Sequence, residues 1–197
     1  MKIYIKLLIL ISFCTFSCKG QQLTVDYSNF NQGENGGKYF KDINNNFDPF
    51  LGTWQWQDNN QIFRITLWKE QEIESYNGIN NPVYYMDKIQ GHFEMVEVGQ
   101  QGQQFETVIY TSDKPIGTSS QYYPPVINGS SYDGISAGGL LIDNSNINPS
   151  NYFGVRCQFT LDIISSNPTQ AVFKVKSLSM SGDTYNIPSN ITMTKQF

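Results

Sequence analysis

The sequence predicts an all-β fold: an antiparallel meander of about eight strands that closes into an up-and-down barrel. Aromatic residues make up 14% of the chain and charged residues 15%, so Asn, Gln, Ser and Thr supply much of the solvated surface. This composition favours strands and turns over helices, because β-branched and aromatic side chains favour strands while Asn and Gly favour turns. From Asp48 onward, strand and turn signals alternate to the end of the chain. A meander loses its open edges when it closes into a barrel.

The start of the chain is typical of an export signal. Lys2 and Lys6 precede an apolar run of about ten residues, and small or polar residues follow it. A membrane-spanning helix would need about 20 apolar residues. We therefore divide the chain into a signal peptide over 1–20, a polar tether over 21–47 and a single β-barrel domain over 48–197.

Two cleavage sites compete at the end of this signal. In the lipoprotein interpretation, Cys18 becomes the lipid-modified first residue, and Ser17 is the small residue that signal peptidase II needs before it. In the secretory interpretation, ordinary signal peptidase cuts after Gly20 and recognises Cys18 and Gly20 as an A-x-A-like site. The first predicts a lipid anchor in the cell envelope, at the outer membrane, and the second predicts a secreted or periplasmic protein. We expect contact with a membrane only through such an anchor.

The predicted strands follow one another from residue 54. Apolar and polar side chains alternate over 63–68, which is typical of a strand with one buried face. The next strand changes its apolar phase, which predicts a β-bulge near Gly91 or Met95. The predicted strands are 54–57, 63–68, 83–98, 104–111, 135–143, 152–164, 171–178 and 190–195.

Turn signals separate these strands. Asn77-Gly78 predicts a tight turn, because both residues tolerate positive φ, and 99–102 predicts a hairpin turn. The stretch 112–134 contains a proline pair and Asn128-Gly129, which makes it a poor candidate for a central strand. We therefore expect 112–134 to be a long excursion over the surface.

Several motifs carry a family resemblance. The runs YFKDIN at 39–44 and DPFLGTW at 48–54 resemble the opening of an uncharacterised family of exported proteins and lipoproteins from Bacteroidota-type bacteria. The run DKIQG at 87–91 is similar to the middle of that family, and IPSNITMTK at 187–195 is similar to its final strand. The resemblance covers most of the mature chain and implies no known activity, substrate or catalytic residue.

Gly52, Thr53 and Trp54 also resemble the Gly-x-Trp motif on the first strand of lipocalins. This resemblance implies a lipocalin-like barrel in which Gly52 and Trp54 close one end. It also implies an interior that holds a small apolar ligand, for which a cavity of at least about 300 Å³ is needed.

Catalytic chemistry has little support in the sequence, and we predict that the protein is not an enzyme. His92 is the only histidine, which excludes a His-rich metal site, and we expect it to be structural. Cys157 alternates with apolar residues and is expected to be a small buried hydrophobe. We expect no catalytic residue, cofactor or metal.

A carboxylate-based hydrolase is the remaining enzymatic hypothesis, and it requires a cluster among Asp87, Glu94 and Asp162 in one cleft.

Binding is the function that the sequence favours. A formal net charge of −4 disfavours nucleic acid as a partner. The first hypothesis is a lipocalin-like binding or structural module for a small apolar ligand or an envelope component. The alternative is a surface module that recognises a glycan or a protein through exposed aromatic residues, namely Trp68, Tyr122 and Tyr123. The simpler interpretation of these aromatic residues, which we favour, is that scattered surface aromatics are normal or that Trp68 packs under the long loop.

Overall fold

The computed structural model of the protein describes residues 22–30, 35–76, 83–99, 105–113, 125–145, 154–167, 169–178 and 184–196. In these ranges the chain is all-β apart from two single-turn 3-10 helices, η1 (Tyr27–Asn29) and η2 (Asp48–Phe50). The strands are β1 (Leu23–Asp26), β2 (Lys38–Lys41), β3 (Gly52–Asp58), β4 (Gln61–Ser75), β5 (Tyr84–Val98), β6 (Glu106–Thr111), β7 (Ile127–Ser131), β8 (Ser136–Asp143), β9 (Val155–Ser166), β10 (Thr169–Ser177) and β11 (Ile191–Lys195). Across the same ranges, no helix has the length and apolar character needed to span a membrane.

Eight of the described strands close into an antiparallel barrel in the order β3-β4-β5-β7-β8-β9-β10-β11. The last strand returns to the first through the pairing of Lys195 with Trp54. β5 pairs with β7 through Ile89 and Gly129, which closes the other gap. The predicted up-and-down barrel of lipocalin-like type is therefore confirmed.

The long strand β5 has three partners along one edge. β2 runs parallel to its start, β7 pairs with its middle, and β6 pairs with its end. The β5–β6 ladder shifts register between Met95 and Val96, which places a bulge beside Met95. The extra residue is Ile109 on β6 and not a residue of β5 as predicted, because Met95 pairs with Tyr110 and Val96 pairs with Val108. β7 continues the barrel wall beside residues 89–91, whereas β6 extends the edge beside residues 94–98.

Phenylalanine rings fill the centre of the barrel. Phe63 on β4 and Phe173 on β10 have ring centroids 6.1 Å apart, and both side chains are fully buried. β4 and β10 are separated in the sheet by β3 and β11, so this contact crosses the barrel interior. Phe93 and Phe159 extend the row on either side, at 6.2 and 6.3 Å. The barrel is therefore packed at this level and has no room there for a ligand.

The predicted tether over 21–47 is wrong for the part of it that the structure describes. β1 pairs with β2, and β2 continues the sheet beside β5. The aromatic side chains Tyr27, Phe40 and Phe47 are 7%, 1% and 0% exposed and belong to the core. Their spacing among Asn and Gly residues has no strand or helix period, which explains why the sequence pattern did not reveal them.

The predicted excursion over 112–134 is also corrected, because β7 is a central strand of the barrel. The Asn128-Gly129 pair lies inside this strand and does not form a turn. Gly129 pairs with Gly139 on β8, and a Cβ atom at Gly129 would lie 2.8 Å from Cζ of Phe159. Here glycine allows a ring to pack directly on the strand, which is the other common role of glycine in a sheet. The predicted Asn77-Gly78 turn lies outside the described residues.

Candidate functional site

The outer face of the barrel carries a groove of about 360 Å³ between β4, β5 and β6. We call it the Trp68 groove, and its polar and aromatic walls include Arg64, Trp68, His92, Glu94, Thr111 and Asp113. The alternation predicted for 63–68 explains its position. Phe63, Ile65 and Leu67 are buried in the core, so Arg64 and Trp68 face outward.

Cross-strand pairing brings the remaining walls together. Arg64 on β4 pairs with Glu94 on β5, and Glu94 pairs in turn with Thr111 on β6. Directly paired residues of antiparallel strands present their side chains on the same face. The groove is thus a consequence of the β4–β5–β6 register rather than of any local motif.

Trp68 is half-buried and packs against the lone histidine. Its ring centroid lies 5.4 Å from that of His92, with an angle of 39° between the planes. The two residues are diagonal neighbours, because Trp68 pairs with Gln90 and His92 pairs with Thr66. One side of the indole therefore rests on the protein while the residue still lines the groove. The outward orientation agrees with the sequence analysis, and the binding role of Trp68 stays a prediction.

His92 lies between a serine and an aspartate at the end of β6. Its Nδ1 is 3.2 Å from Oγ of Ser112, and its Nε2 is 3.8 Å from Oδ1 of Asp113. If the Ser112 hydroxyl donates to Nδ1, the imidazole proton resides on Nε2 and faces the Asp113 carboxylate. This arrangement holds the imidazole plane beside the indole of Trp68.

The Ser112–His92–Asp113 series has the residue types of a hydrolytic triad but lacks the geometry of one. Ser112 is 1% exposed, and its Oγ accepts a 2.8 Å hydrogen bond from the backbone N–H of Phe93. A nucleophile must reach a substrate carbonyl beside the base. The buried Oγ of Ser112, which already accepts from a backbone N–H, cannot reach a substrate in this way. Ser112 and Asp113 therefore position the imidazole of His92.

Arg64 is surrounded by acceptors. Its guanidinium donates to Oε1 of Gln55 at 3.1 Å, to Oε1 of Glu94 at 3.1 Å and to Oε2 of Glu106 at 2.7 Å. The hydrogen bonds and charges of Glu106 and Glu94 raise the pKa of Arg64 further above its usual value. The Arg64 hydrogen bond in turn lowers the pKa of Glu106. The cation of the groove is therefore engaged with carboxylates of the protein itself.

The three carboxylates of the hydrolase hypothesis lie in different surroundings. Asp87 is fully buried and accepts from the Tyr39 hydroxyl, whereas Glu94 faces Arg64 in the groove. Asp162 on β9 accepts from Ser136 and from Lys174. These partner sets do not overlap, so the cluster that the hypothesis requires is not formed. Among the residues of known placement, no group of three His, Cys, Asp or Glu side chains could hold a metal ion.

The Gly-x-Trp motif lies where β3 begins. Trp54 is fully buried, its indole N–H donates to the carbonyl of Phe50 at 2.8 Å, and Nζ of Lys195 lies 5.6 Å from its ring centroid. Gly52 has a φ of 106°, a conformation that favours glycine. These contacts connect η2, β3 and β11, and closure of the barrel end by Gly52 and Trp54 stays a prediction. Cys18, Tyr122 and Tyr123 lie outside the described residues.

Sequence reasoning missed Ser112, Asp113 and Glu106 as parts of a site. Ser112 and Asp113 follow β6 directly, in a stretch interpreted as the start of a surface loop. Only the β5–β6 register places them beside His92, and that register depends on the bulge at Ile109. The alternating pattern over 63–68 indicated that Trp68 faces outward. No sequence pattern indicated that Ser112, Asp113 and Glu106 lie near Trp68.

Comparison with known proteins gives a family but no function. The model of a family of unknown function, DUF6705, matches residues 1–196. No curated protein matches the chain. No solved structure matches it either.

Proposed function

The chain belongs to a family of unknown function, DUF6705, and we propose that it is an exported binding module that takes a saccharide in the Trp68 groove. The observation that carries this proposal is the groove itself, where a half-buried tryptophan is flanked by carboxylates and a histidine on the outside of the barrel. Ligand sites typically combine an aromatic or apolar surface with a few polar groups that fix orientation.

A saccharide matches these walls for a physical reason. The C–H face of a sugar ring is apolar and packs on an indole, whereas its hydroxyls need donors and acceptors around the edge. Glu94, Thr111 and Asp113 supply such groups on the β5–β6 side of the groove. The indole of Trp68 supplies the apolar surface on the other side.

The packing of the barrel counts against a ligand in its interior. The Phe63–Phe173 contact crosses the centre of the barrel, and both rings are fully buried. A small apolar ligand would have to displace these rings, which cores packed at native density resist. The outer groove needs no such rearrangement.

Export is supported by the basic and apolar start of the chain. We propose that the mature protein is either anchored in the cell envelope through Cys18 or secreted or periplasmic with Gln21 as its first residue. Mass spectrometry of the protein extracted from its own cells tests both forms. A mass that matches a diacylated Cys18 supports the anchor, a chain that begins at Gln21 supports secretion, and an unprocessed N-terminus contradicts export.

Isothermal titration calorimetry with a panel of oligosaccharides tests the binding proposal. Trp68→Ala should lower the affinity for any bound member at least about tenfold, because a central aromatic contact is lost. Tyr76→Ala is the matched control, since Tyr76 is an aromatic residue 66% exposed and outside the groove. Binding that both variants retain, or a complete lack of binding across the panel, would contradict the proposal.

A further inference from the structure

We infer that the ligand of the Trp68 groove carries a positively charged nitrogen, as an amino sugar does, and this inference rests on the proposed function. Three observations support it: the charge of the walls, the engagement of Arg64 and the position of Trp68 in the groove. The first two observations concern the same cluster of Arg64, Glu94 and Glu106, and the position of Trp68 is independent of them.

The charge of the walls is negative. Glu94 and Asp113 line the groove, and Glu106 reaches it through Arg64. The four side chains Arg64, Glu94, Glu106 and Asp113 carry one positive and three negative formal charges. Asp113 is 62% exposed at its side chain and lies at the open side of the groove. A cation that enters is attracted, whereas a phosphate or sulfate group would meet two excess negative charges.

Arg64 does not offer a counter-charge to an anionic ligand. Four of its N–H groups point at Gln55, Glu94 and both carboxylate oxygens of Glu106. An anion could bind the guanidinium in a bidentate manner only by displacing Glu106, and bidentate pairing is the strongest form of such contact. Among the residues that the structure describes, Arg64 is the cation of the groove walls, and it is held by the protein's own acids.

Trp68 adds an attraction that is specific for cations. An indole face is the best aromatic partner for an ammonium group within about 6 Å. Among the residues that the structure describes, lysine nitrogens occupy this position at Trp54 and at Phe47, each at 5.6 Å. At Trp68 the protein instead provides the imidazole of His92, whose far nitrogen faces Asp113. The indole and the Asp113 carboxylate both line the groove, and an ammonium group in it is attracted to both.

Matched probes separate this inference from the proposed function. Calorimetry compares a glucosamine tetramer with its fully N-acetylated form, since the two share a backbone and differ in the charge of the nitrogen. Tetramethylammonium, which has no hydroxyls, is the third probe. We expect the protonated amine form to bind at least about tenfold more tightly than the acetylated form.

Two substitutions locate the effect. Asp113→Asn keeps the shape of the side chain and removes its charge, and it should reduce the preference for the amine form about fivefold. Asp58→Asn is the control, because Asp58 is an exposed acid in the β3–β4 hairpin, outside the groove. Trp68→Phe should weaken tetramethylammonium binding while thermal unfolding verifies that the variant is folded.

The outcomes are distinct. Equal affinity for the amine and acetylated tetramers overturns the inference and leaves the saccharide proposal intact. Binding of tetramethylammonium with no saccharide binding supports the cation site and overturns the saccharide proposal. No binding of any probe overturns both, and a preference that Asp113→Asn leaves unchanged overturns the inference.

Discussion

The hydroxyl of Tyr39 donates a 2.6 Å hydrogen bond to the carboxylate of Asp87, which lies 48 residues further along the chain and is fully buried. Asp87 also accepts from the backbone N–H of Asp42 at 3.0 Å. Nζ of Lys69 lies 2.9 Å from the Asp42 carboxylate and 3.8 Å from that of Asp87. A buried carboxylate is tolerated only with such partners. This network therefore holds the segment before the barrel against β4 and β5.

Asp87→Asn tests that attachment. The asparagine amide keeps the shape of the carboxylate but removes the negative charge that faces Lys69. Its NH₂ group also points at a donor, either the Tyr39 hydroxyl or the backbone N–H of Asp42. We expect a loss of about 3 kcal/mol of unfolding free energy, as when one partner of a buried pair is removed. Urea denaturation measures it. Asp58→Asn, at the exposed end of β3, should change stability by less than about 0.5 kcal/mol, and equal effects of the two variants would contradict the role of Asp87.

The two adjacent glycines of β8 give a second prediction. A Cβ atom at Gly139 would lie 2.2 Å from the carbonyl oxygen of Asn128 and 2.6 Å from Cα of Gly129, both backbone atoms of β7. At Gly138 the nearest atom is the carbonyl oxygen of Phe159, at 3.2 Å. Gly139→Ala must therefore separate β7 from β8, whereas Gly138→Ala needs a small adjustment.

We expect Gly139→Ala to lower the unfolding free energy by at least about 3 kcal/mol, and Gly138→Ala by about 1 kcal/mol or less. Chemical denaturation followed by tryptophan fluorescence measures both. The two substitutions are chemically identical and one residue apart, so strand propensity cancels between them. Similar losses would show that β7 does not pack on β8 as closely as the structure describes.

The sequence predicts the barrel because its strands obey a local rule. Alternation over 63–68 and the phase change near Met95 are visible in one strand at a time, and both are present in the structure. The sequence did not predict β7 because the Asn128-Gly129 pair fits two structures. One is a tight turn, and the other is a strand on which an aromatic ring packs. The choice between them depends on Phe159, which is distant in sequence.

The structure of the N-terminal segment and of the groove also depends on residues that are distant in sequence. Phe40 and Phe47 are buried by residues of β4 and β5, so their burial has no local periodicity. His92, Ser112 and Asp113 become neighbours only when the bulged β5–β6 ladder is formed. Long-range register, rather than propensity, decides these features.

The Arg64–Glu106 pair predicts a modest dependence of stability on acid. Arg64 lowers the pKa of Glu106 in the folded state, mainly through its hydrogen bond. The unfolded state then binds more protons between the two pKa values, so the contribution is present above the unfolded pKa and is lost as pH falls through the folded one. Because the Glu106 side chain is 42% exposed, the contribution should stay below about 1 kcal/mol.

Comparison of Glu106→Gln with the unsubstituted protein at pH 7 and at pH 3 measures the contribution of this ion pair to the unfolding free energy. The difference in unfolding free energy should be present at pH 7 and should shrink at pH 3, and 1 M salt should reduce it at pH 7. Glu74→Gln, at an exposed position of β4, is the control and should show no such change. A pH-independent difference for Glu106→Gln would contradict the pairing.

Cys157 predicts a dependence of stability on pH in the alkaline range. Its side chain is fully buried on β9, and its Sγ lies 3.7 Å from the carbonyl oxygen of Val155. Burial, with a smaller effect from the charge of Asp143, raises the pKa of the thiol from 9.0 to about 11. The thiolate is the reactive form, so this cysteine is protected by both access and ionisation.

We expect Cys157 to react with iodoacetamide at pH 8 at least about a hundredfold more slowly in the folded protein than in urea. Because its folded pKa is raised, the folded state holds more protons than the unfolded state between about pH 9 and pH 11, and stability falls as pH rises through this window. The rise of the thiol pKa from 9.0 to about 11 corresponds to roughly 2–3 kcal/mol of unfolding free energy. Unfolding measured from pH 8 to pH 11 should therefore decline more steeply for the unsubstituted protein than for Cys157→Ala. Parallel declines, or rapid alkylation of the folded protein, would contradict the buried position of this thiol.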